Sequence, residues 1–205
     1  MTEYYIPTRE SETEFVEKRS RFIGHVWRVE SEEEARTLIE ATKKKHYDAR
    51  HNCWCYVIKD GPMRYSDDGE PQGTAGQPML NVFQREGVVN VCCVVTRYFG
   101  GTLLGTGGLV HAYTRAARMA VEAAEIVTRA RLAILSVTVN YSDYQKILPL
   151  IEAGHIRVDD SEFAGNVTLT LALRWEDADG FMKRLSDVCN GRAACRIAGD
   201  RFDYL

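Results

Sequence analysis

Two loops concentrate the residues that could do chemistry. In Tyr65-Ser-Asp-Asp-Gly-Glu-Pro-Gln-Gly-Thr-Ala-Gly-Gln-Pro78, three carboxylates, Asp67, Asp68 and Glu70, fall within four positions and are followed by Gly73, Thr74 and Gly76. Carboxylates so close repel one another unless a cation, a basic partner or water screens them. Three readings follow: a hard-oxygen site for Mg²⁺ or Ca²⁺, a binding surface, or a solvated turn with Asx caps. The spacing D-x-D-x-D-G of a calcium loop is absent. The second loop, Thr96 to Val110, carries Gly100, Gly101, Gly105, Gly107 and Gly108 between a strand and a helix. Exposed amides at a helix start favour an anion. There is no Walker lysine, and the third glycine of a dinucleotide fingerprint would fall at Val110. The alternative is that glycine lets the helix pack tightly on the sheet. Arg97, Tyr98 and Phe99 would add a guanidinium and a stacking ring to such a site.

A third group, His46, Asp48, His51, Cys53 and Cys55, invites a zinc reading. Structural zinc prefers C-x₂₋₄-C on a turn with a second pair at matching spacing, and neither is present. No nucleophile motif accompanies His51. The expectation is therefore no metal, no cofactor and no assigned catalytic residue, with His51 kept as a binding candidate. Lys43-Lys-Lys45 reads as a solvated helix end, with phosphate binding as the alternative.

Composition narrows the class. With 45% hydrophobic and 27% charged residues the chain is globular, and a net charge of −3 leaves any nucleic-acid contact to a local patch. The start of the sequence resembles no signal peptide, and no apolar run is long enough to span a bilayer, so a cytoplasmic protein is expected. The six cysteines then read as reduced thiols, Cys92 and Cys93 as buried strand residues.

The elements that must position these loops follow from periodicity. Strands are expected at 14–18 and 22–29. A helix follows, opened by a Ser31/Glu34 capping box, with Ala35, Leu38, Ile39 and Thr42 inward. Strands at 51–59 and 63–65 flank the turn Asp60-Gly-Pro62. A short helix spans about 77–86. Val88 to Thr96 is a continuous apolar run and so a central strand covered on both faces. A helix from Leu109 to about Glu125 turns Leu109, Ala112, Ala116, Met119, Ala120 and Ala123 inward; small residues there imply close approach to the sheet. Because both chemistry-bearing loops follow strands, they are expected to meet in one crevice. Beyond Arg129 the order becomes βαββαβ: a strand at 132–141, a helix opened by Ser142 and Gln145 and ended by Gly154, strands at 156–163 and 167–175, a helix through Phe181, Leu185 and Val188, and a strand at 193–198. This is the ferredoxin-like pattern, with both helices on one face of a four-stranded antiparallel sheet. The fold class is α+β, with domains at 1–128 and 131–205.

Four stretches carry a resemblance: Ser20-Arg-Phe22; Ala49-Arg-His-Asn-Cys-Trp54; Asp67-Asp-Gly-Glu-Pro-Gln-Gly-Thr-Ala-Gly76 with Pro78; and Val94-Val-Thr-Arg-Tyr-Phe-Gly-Gly-Thr-Leu-Leu-Gly-Thr-Gly-Gly-Leu109. Over residues 14 to 125 the sequence closely resembles the IMPACT/YigZ family, and residues 131 to 205 resemble the additional C-terminal domain of its bacterial members. The resemblance implies a ribosomal-protein-like α/β sandwich in the first domain. It implies a second domain similar to a terminal domain of translocation elongation factors. Eukaryotic relatives regulate translation in a stress response by competing for a ribosome-associated activator of the general-control kinase. The expected function is a non-enzymatic regulator that binds RNA, the ribosome or a translation-associated protein. The alternative is an enzyme acting on a phosphorylated substrate through the glycine-rich and acidic loops.

Overall fold

The computed structural model describes residues 3–204, which form two compact units: Tyr4–Val127, and Thr128–Tyr204 together with Glu3. The chain opens with a strand missed in the sequence, β1 (Glu3–Pro7), in which Tyr5 makes a parallel bridge to Val88.

In the N-terminal unit, β2 (Ser11–Glu17) and β3 (Ser20–Arg28) form a hairpin. Its two turn residues, Lys18 and Arg19, are both left-handed, matching the strand twist. α1 (Glu32–Lys45) starts as the capping signature requires: Ser31 Oγ accepts from Glu34 N at 3.2 Å. Glu34 reaches back to the amide of Glu30 instead of that of Ser31. β4 (His51–Val57), β5 (Met63–Ser66), α2 (Gly76–Glu86), β6 (Val91–Tyr98) and α3 (Gly105–Ala123) complete the unit. The sheet order is β2-β3-β6-β4-β5, with β6 central and every pair antiparallel. Antiparallel pairing brings the starts of β3 and β4 and the ends of β5 and β6 to one end of the sheet.

Side chains alternate across the pleat. Cys93 and Val95 join Phe22, Val26, Cys53 and Cys55 beneath α2 and α3, whereas Cys92 and Val94 join Tyr56, Ala35 and Ile39 beneath α1. A Cβ on Gly24 would lie 2.8 Å from the carbonyl of Ala116, so β3 and α3 do approach closely. The inward face of α3 includes Tyr113, Ala117 and Val121, while Met119 and Ala123 are only half-buried.

Several boundaries differ from the periodicity, among them a strand that starts at Ile126 and a last strand that runs on to Asp203, and two of the differences bear on the site. β6 starts at Val91, not Val88, because Asn90 is left-handed; its side chain accepts from Lys59 N and donates to Glu30. α3 starts four residues earlier than expected, so Gly105, Gly107 and Gly108 are its first turn and not a free loop.

In the C-terminal unit the strands β7 (Ile126–Val139), β8 (Arg157–Phe163), β9 (Val167–Arg174) and β10 (Ala194–Asp203) are ordered β10-β7-β9-β8, all antiparallel. α4 (Tyr141–Ala153) and α5 (Ala178–Val188) share one core with the sheet through Ile147, Ile151, Phe181 and Leu185. This is the βαββαβ arrangement, and the whole is a two-domain α+β protein. α4 is capped by Asn140, whose Oδ1 accepts from Asp143 N, and not by Ser142. Asp143, 1% exposed, receives Arg192 and Lys146, which hold its carboxyl well below the usual range.

No helix among the described residues is long and apolar enough to cross a membrane.

Candidate functional site at one end of the N-terminal sheet

The acidic loop leaves β5 where β6 also ends, and its three carboxylates part company at once. Asp67 turns inward and accepts from the amides of Gly73, Ala75 and Gly76 at 2.8–3.0 Å. It thereby closes the loop on itself and places a negative charge at the start of α2, where the helix dipole favours it. Asp68, left-handed at φ 43°, accepts from Asn52 N at 2.7 Å and faces Lys43 Nζ at 3.3 Å. Glu70 goes into the interior, its side chain 2% exposed. Its Oε1 accepts from Arg97 Nη1 at 2.6 Å and from the Tyr113 hydroxyl at 2.8 Å. The crowding read from the sequence is thus relieved by separation. Among the described residues no group of three His, Cys, Asp or Glu is placed to hold a metal ion.

Around Glu70 lies a buried polar cluster. His51 Nδ1 meets the carbonyl of Asp68 at 2.8 Å, which assigns that nitrogen as the donor, and Nε2 faces Glu70 Oε2 at 3.8 Å. Cys53 Sγ donates to the carbonyl of Asp67 at 3.0 Å. Burial pushes the Cys53 thiol and the Tyr113 hydroxyl far above their ordinary values, so both remain protonated and Cys53 is a poor nucleophile. Arg97 lies 5.6 Å from each of the Phe22 and Phe99 rings, and its Nη2 is 3.4 Å from Ser20 Oγ. Its Nε is buried without a hydrogen-bond partner among the described residues.

Ser20 Oγ also accepts from Gly100 N, and here the chain passes directly over the β2–β3 turn. A Cβ on Gly100 would sit 1.9 Å from the carbonyl of Arg19, so only glycine fits. Gly76 is also confined, since a Cβ there would lie 2.7 Å from the carbonyl of Ser66. Gly101, Gly105 and Gly107 differ: a Cβ at any of them meets nothing within 4 Å. Beside them Leu103 is 82% and Phe99 46% exposed. α3 has no side-chain cap, so its first amides are left without one.

The comparisons agree with this architecture. The Impact N-terminal domain matches residues 18–121, and a domain of unknown function, DUF1949, matches residues 137–192. An IMPACT family member, YvyE of Bacillus subtilis, is 34% identical over 192 residues, covering 93% of this chain and 88% of that one. A Haemophilus influenzae IMPACT family member is 32% identical, covering 96% and 98%. The chain belongs to the IMPACT family. A solved relative, described as the crystal structure of an hypothetical protein, superposes with a TM-score of 0.60 at 32% identity, covering 97% of this chain and 98% of that one. The Dictyostelium discoideum protein IMPACT homolog matches 52% of this chain and only 32% of its own length.

Within this IMPACT fold the motif residues separate into three groups. Glu70, Arg97 and His51 come together. Asp67, Asp68 and Thr74 build the loop itself, Thr74 donating to the carbonyl of Pro71 at 2.6 Å. Tyr98 lies on the opposite face from Arg97, as strand alternation requires; its hydroxyl meets His46 Nδ1 at 3.0 Å and donates to Asp48 at 3.1 Å. Tyr98 therefore does not share the Arg97 site. Ser20, read only as part of a motif, and Cys53, read as part of a motif and as a zinc candidate, join the cluster, and so does Tyr113, which the motifs do not include. Tyr113 had a signal: it is the single large polar residue on the small-residue face of α3.

Proposed function

We propose that this IMPACT-family protein is a non-enzymatic binding module linked to translation. It engages an RNA-containing partner through the open surface at the end of β6. One observation carries this reading. The carboxylates of the acidic loop are used internally, while Phe99, Leu103 and the backbone of Gly101, Gly105 and Gly107 stand open. Exposed rings and amides are what a single-stranded nucleic acid uses for stacking and phosphate contact. In this reading Asp67, Asp68, Glu70, Thr74, Gly76, His51 and Arg97 hold the surface in shape, and Gly100 and Gly108 set its backbone.

The test is co-purification of RNA and ribosomal proteins with the tagged protein, before and after nuclease. The Phe99→Ala/Leu103→Ser double variant should fold normally and lose the nuclease-sensitive fraction. An unchanged set of co-purifying molecules would end the proposal.

A second reading, an enzyme acting on a phosphorylated substrate, draws support from the unpartnered Nε of Arg97 and from the uncapped start of α3. It requires Mg²⁺-dependent turnover of nucleotides or phosphosugars that is lost in Glu70→Gln while stability is kept.

A further inference from the structure

α1 covers only part of its side of the sheet. Its buried residues Ala35 and Ile39 rest on Tyr56 of β4 and on Cys92 and Val94 of β6. The β2–β3 part of the same face is left as an open cleft of about 430 Å³ between α1 and β2. The floor is a flat pair of rings: His25 and Trp27, two residues apart on β3, stack with centroids 5.3 Å apart and planes 6° from parallel. Leu38 and Lys45 of α1 form one wall, Glu10 and Glu12 the other.

The lining favours positive charge. Glu12 lies directly opposite His25 in the strand register, and its carboxylate receives Lys45 Nζ at 3.2 Å, which helps keep it ionised. Glu10 has no ion-pair partner among the described residues. His25 is buried, 4% exposed, and burial lowers its pKa to about 4, so it adds no positive charge at neutral pH. The cleft therefore holds one carboxylate more than it holds cations. The balance favours a cation over a phosphate, since a cation gains both from the carboxylates and from the Trp27 face. The Lys45–Glu12 contact bridges the two walls and shows the geometry in which an ammonium sits there.

Packing alone does not account for these residues. His25 Nε2 has no hydrogen-bond partner among the described residues, and a buried imidazole left so is less stable than an apolar side chain of the same shape. A face needed only for the core would read as the neighbouring half does, in Cys92, Val94 and Tyr56.

We propose that this cleft is a binding site for a small ligand bearing a primary ammonium group, which displaces Lys45 from Glu12 and lies against the Trp27 ring. Two sources share that chemistry: diamines and polyamines, and free amino acids. The site is separate from the end of β6 and does not rest on the function proposed there.

The experiment follows the Trp27 indole resonance, assigned with Trp27→Phe, during titration with putrescine, spermidine, lysine or leucine in 150 mM salt. Saturable binding below about 10 mM is expected, weakened at least tenfold by Glu12→Gln, a change at an exposed carboxylate that leaves the core intact. Lys45→Ala separates the sources. It removes the internal competitor and tightens a polyamine, but it removes the one cation among the described residues that line the cleft, which would face the carboxylate of an amino acid, and weakens that. N-Acetylated ligands should not bind. No saturable shift with any of the four, or a shift of equal strength in Glu12→Gln, would overturn the proposal.

Discussion

The Glu70–Arg97 pair is the sharpest place to perturb the protein. Both side chains are almost completely buried, and the contact is 2.6 Å with Tyr113 donating to the same oxygen. Removing one member of such a pair leaves an uncompensated charge in a medium that cannot solvate it, at about 3–5 kcal/mol. Replacing both members by apolar groups of similar volume removes the charges together and is far milder. Arg97→Met should therefore destabilise the N-terminal unit by about 4 kcal/mol, and Glu70→Leu/Arg97→Met by much less than the two single changes added. The unit spans residues 4–127, so its unfolding entropy is on the order of 0.26 kcal/mol/K at about 2.1 cal/mol/K per residue. A loss of about 4 kcal/mol then lowers Tm by about 15 °C. Urea and thermal melts of the wild type, both single variants and the double variant form a complete cycle. A coupling of about 2 kcal/mol or more is expected. If Arg97→Met loses less than about 1 kcal/mol, or if the changes are additive, the pair does not hold the acidic loop to β6 as argued, and the reading of Glu70 as a shaping residue fails with it.

Three further outcomes follow from the same geometry. Asp67→Ala removes one carboxylate that accepts from three amides, so it should cost about 2–3 kcal/mol and specifically lose hydrogen-exchange protection at Gly73, Ala75 and Gly76; unchanged protection there would refute the role assigned to Asp67. Gly100→Ala should prevent folding of the N-terminal unit, whereas Gly107→Ala, in open space inside a helix, should stabilise by about 0.5–1 kcal/mol; circular dichroism melts separate the two. His25 supplies a pH dependence. Its folded pKa, about 4, lies below the ordinary 6.5, chiefly through burial, with Lys45 and His46 adding to the shift and Glu12 opposing it. The unfolded chain then binds the extra proton, so this stabilisation is complete above about pH 6.5 and is lost as pH falls towards 4, by roughly 3 kcal/mol in all. The stability difference between wild type and His25→Phe should shift by that amount over the window; a constant difference would show that His25 titrates normally.

What the sequence disclosed about the site is limited by what each pattern measures. Period-two alternation around β6 and period-three-to-four repeats in α1 report burial, so the sheet, the helices and the two-domain α+β order were legible from them. The same alternation sends Arg97 and Tyr98, adjacent on β6, to opposite faces, so the two cannot share a site. The acidic loop was harder. Three carboxylates in four residues look like a cluster because sequence distance is the only distance available. Yet a left-handed Asp68 and the turn in which the Glu70 amide donates to the Asp67 carbonyl at 2.9 Å send the three side chains in different directions. Only the tertiary fold brings Tyr113, 43 residues further on, to Glu70.

The glycines show the same limit from the other side. Gly100 and Gly107 look alike in the sequence and belong to one run. One is fixed by a carbonyl that a Cβ would overlap, and the other faces open space on a helix where alanine would be the better helix former. A glycine that neither packing nor a left-handed backbone requires is the stronger pointer to a partner's backbone or phosphate approaching that surface. Gly101 and Gly105, at φ 83° and 75°, are accounted for by their left-handed backbone, so on this argument the functional face of the domain is sought at Gly107, beside Phe99 and Leu103, and not among the carboxylates.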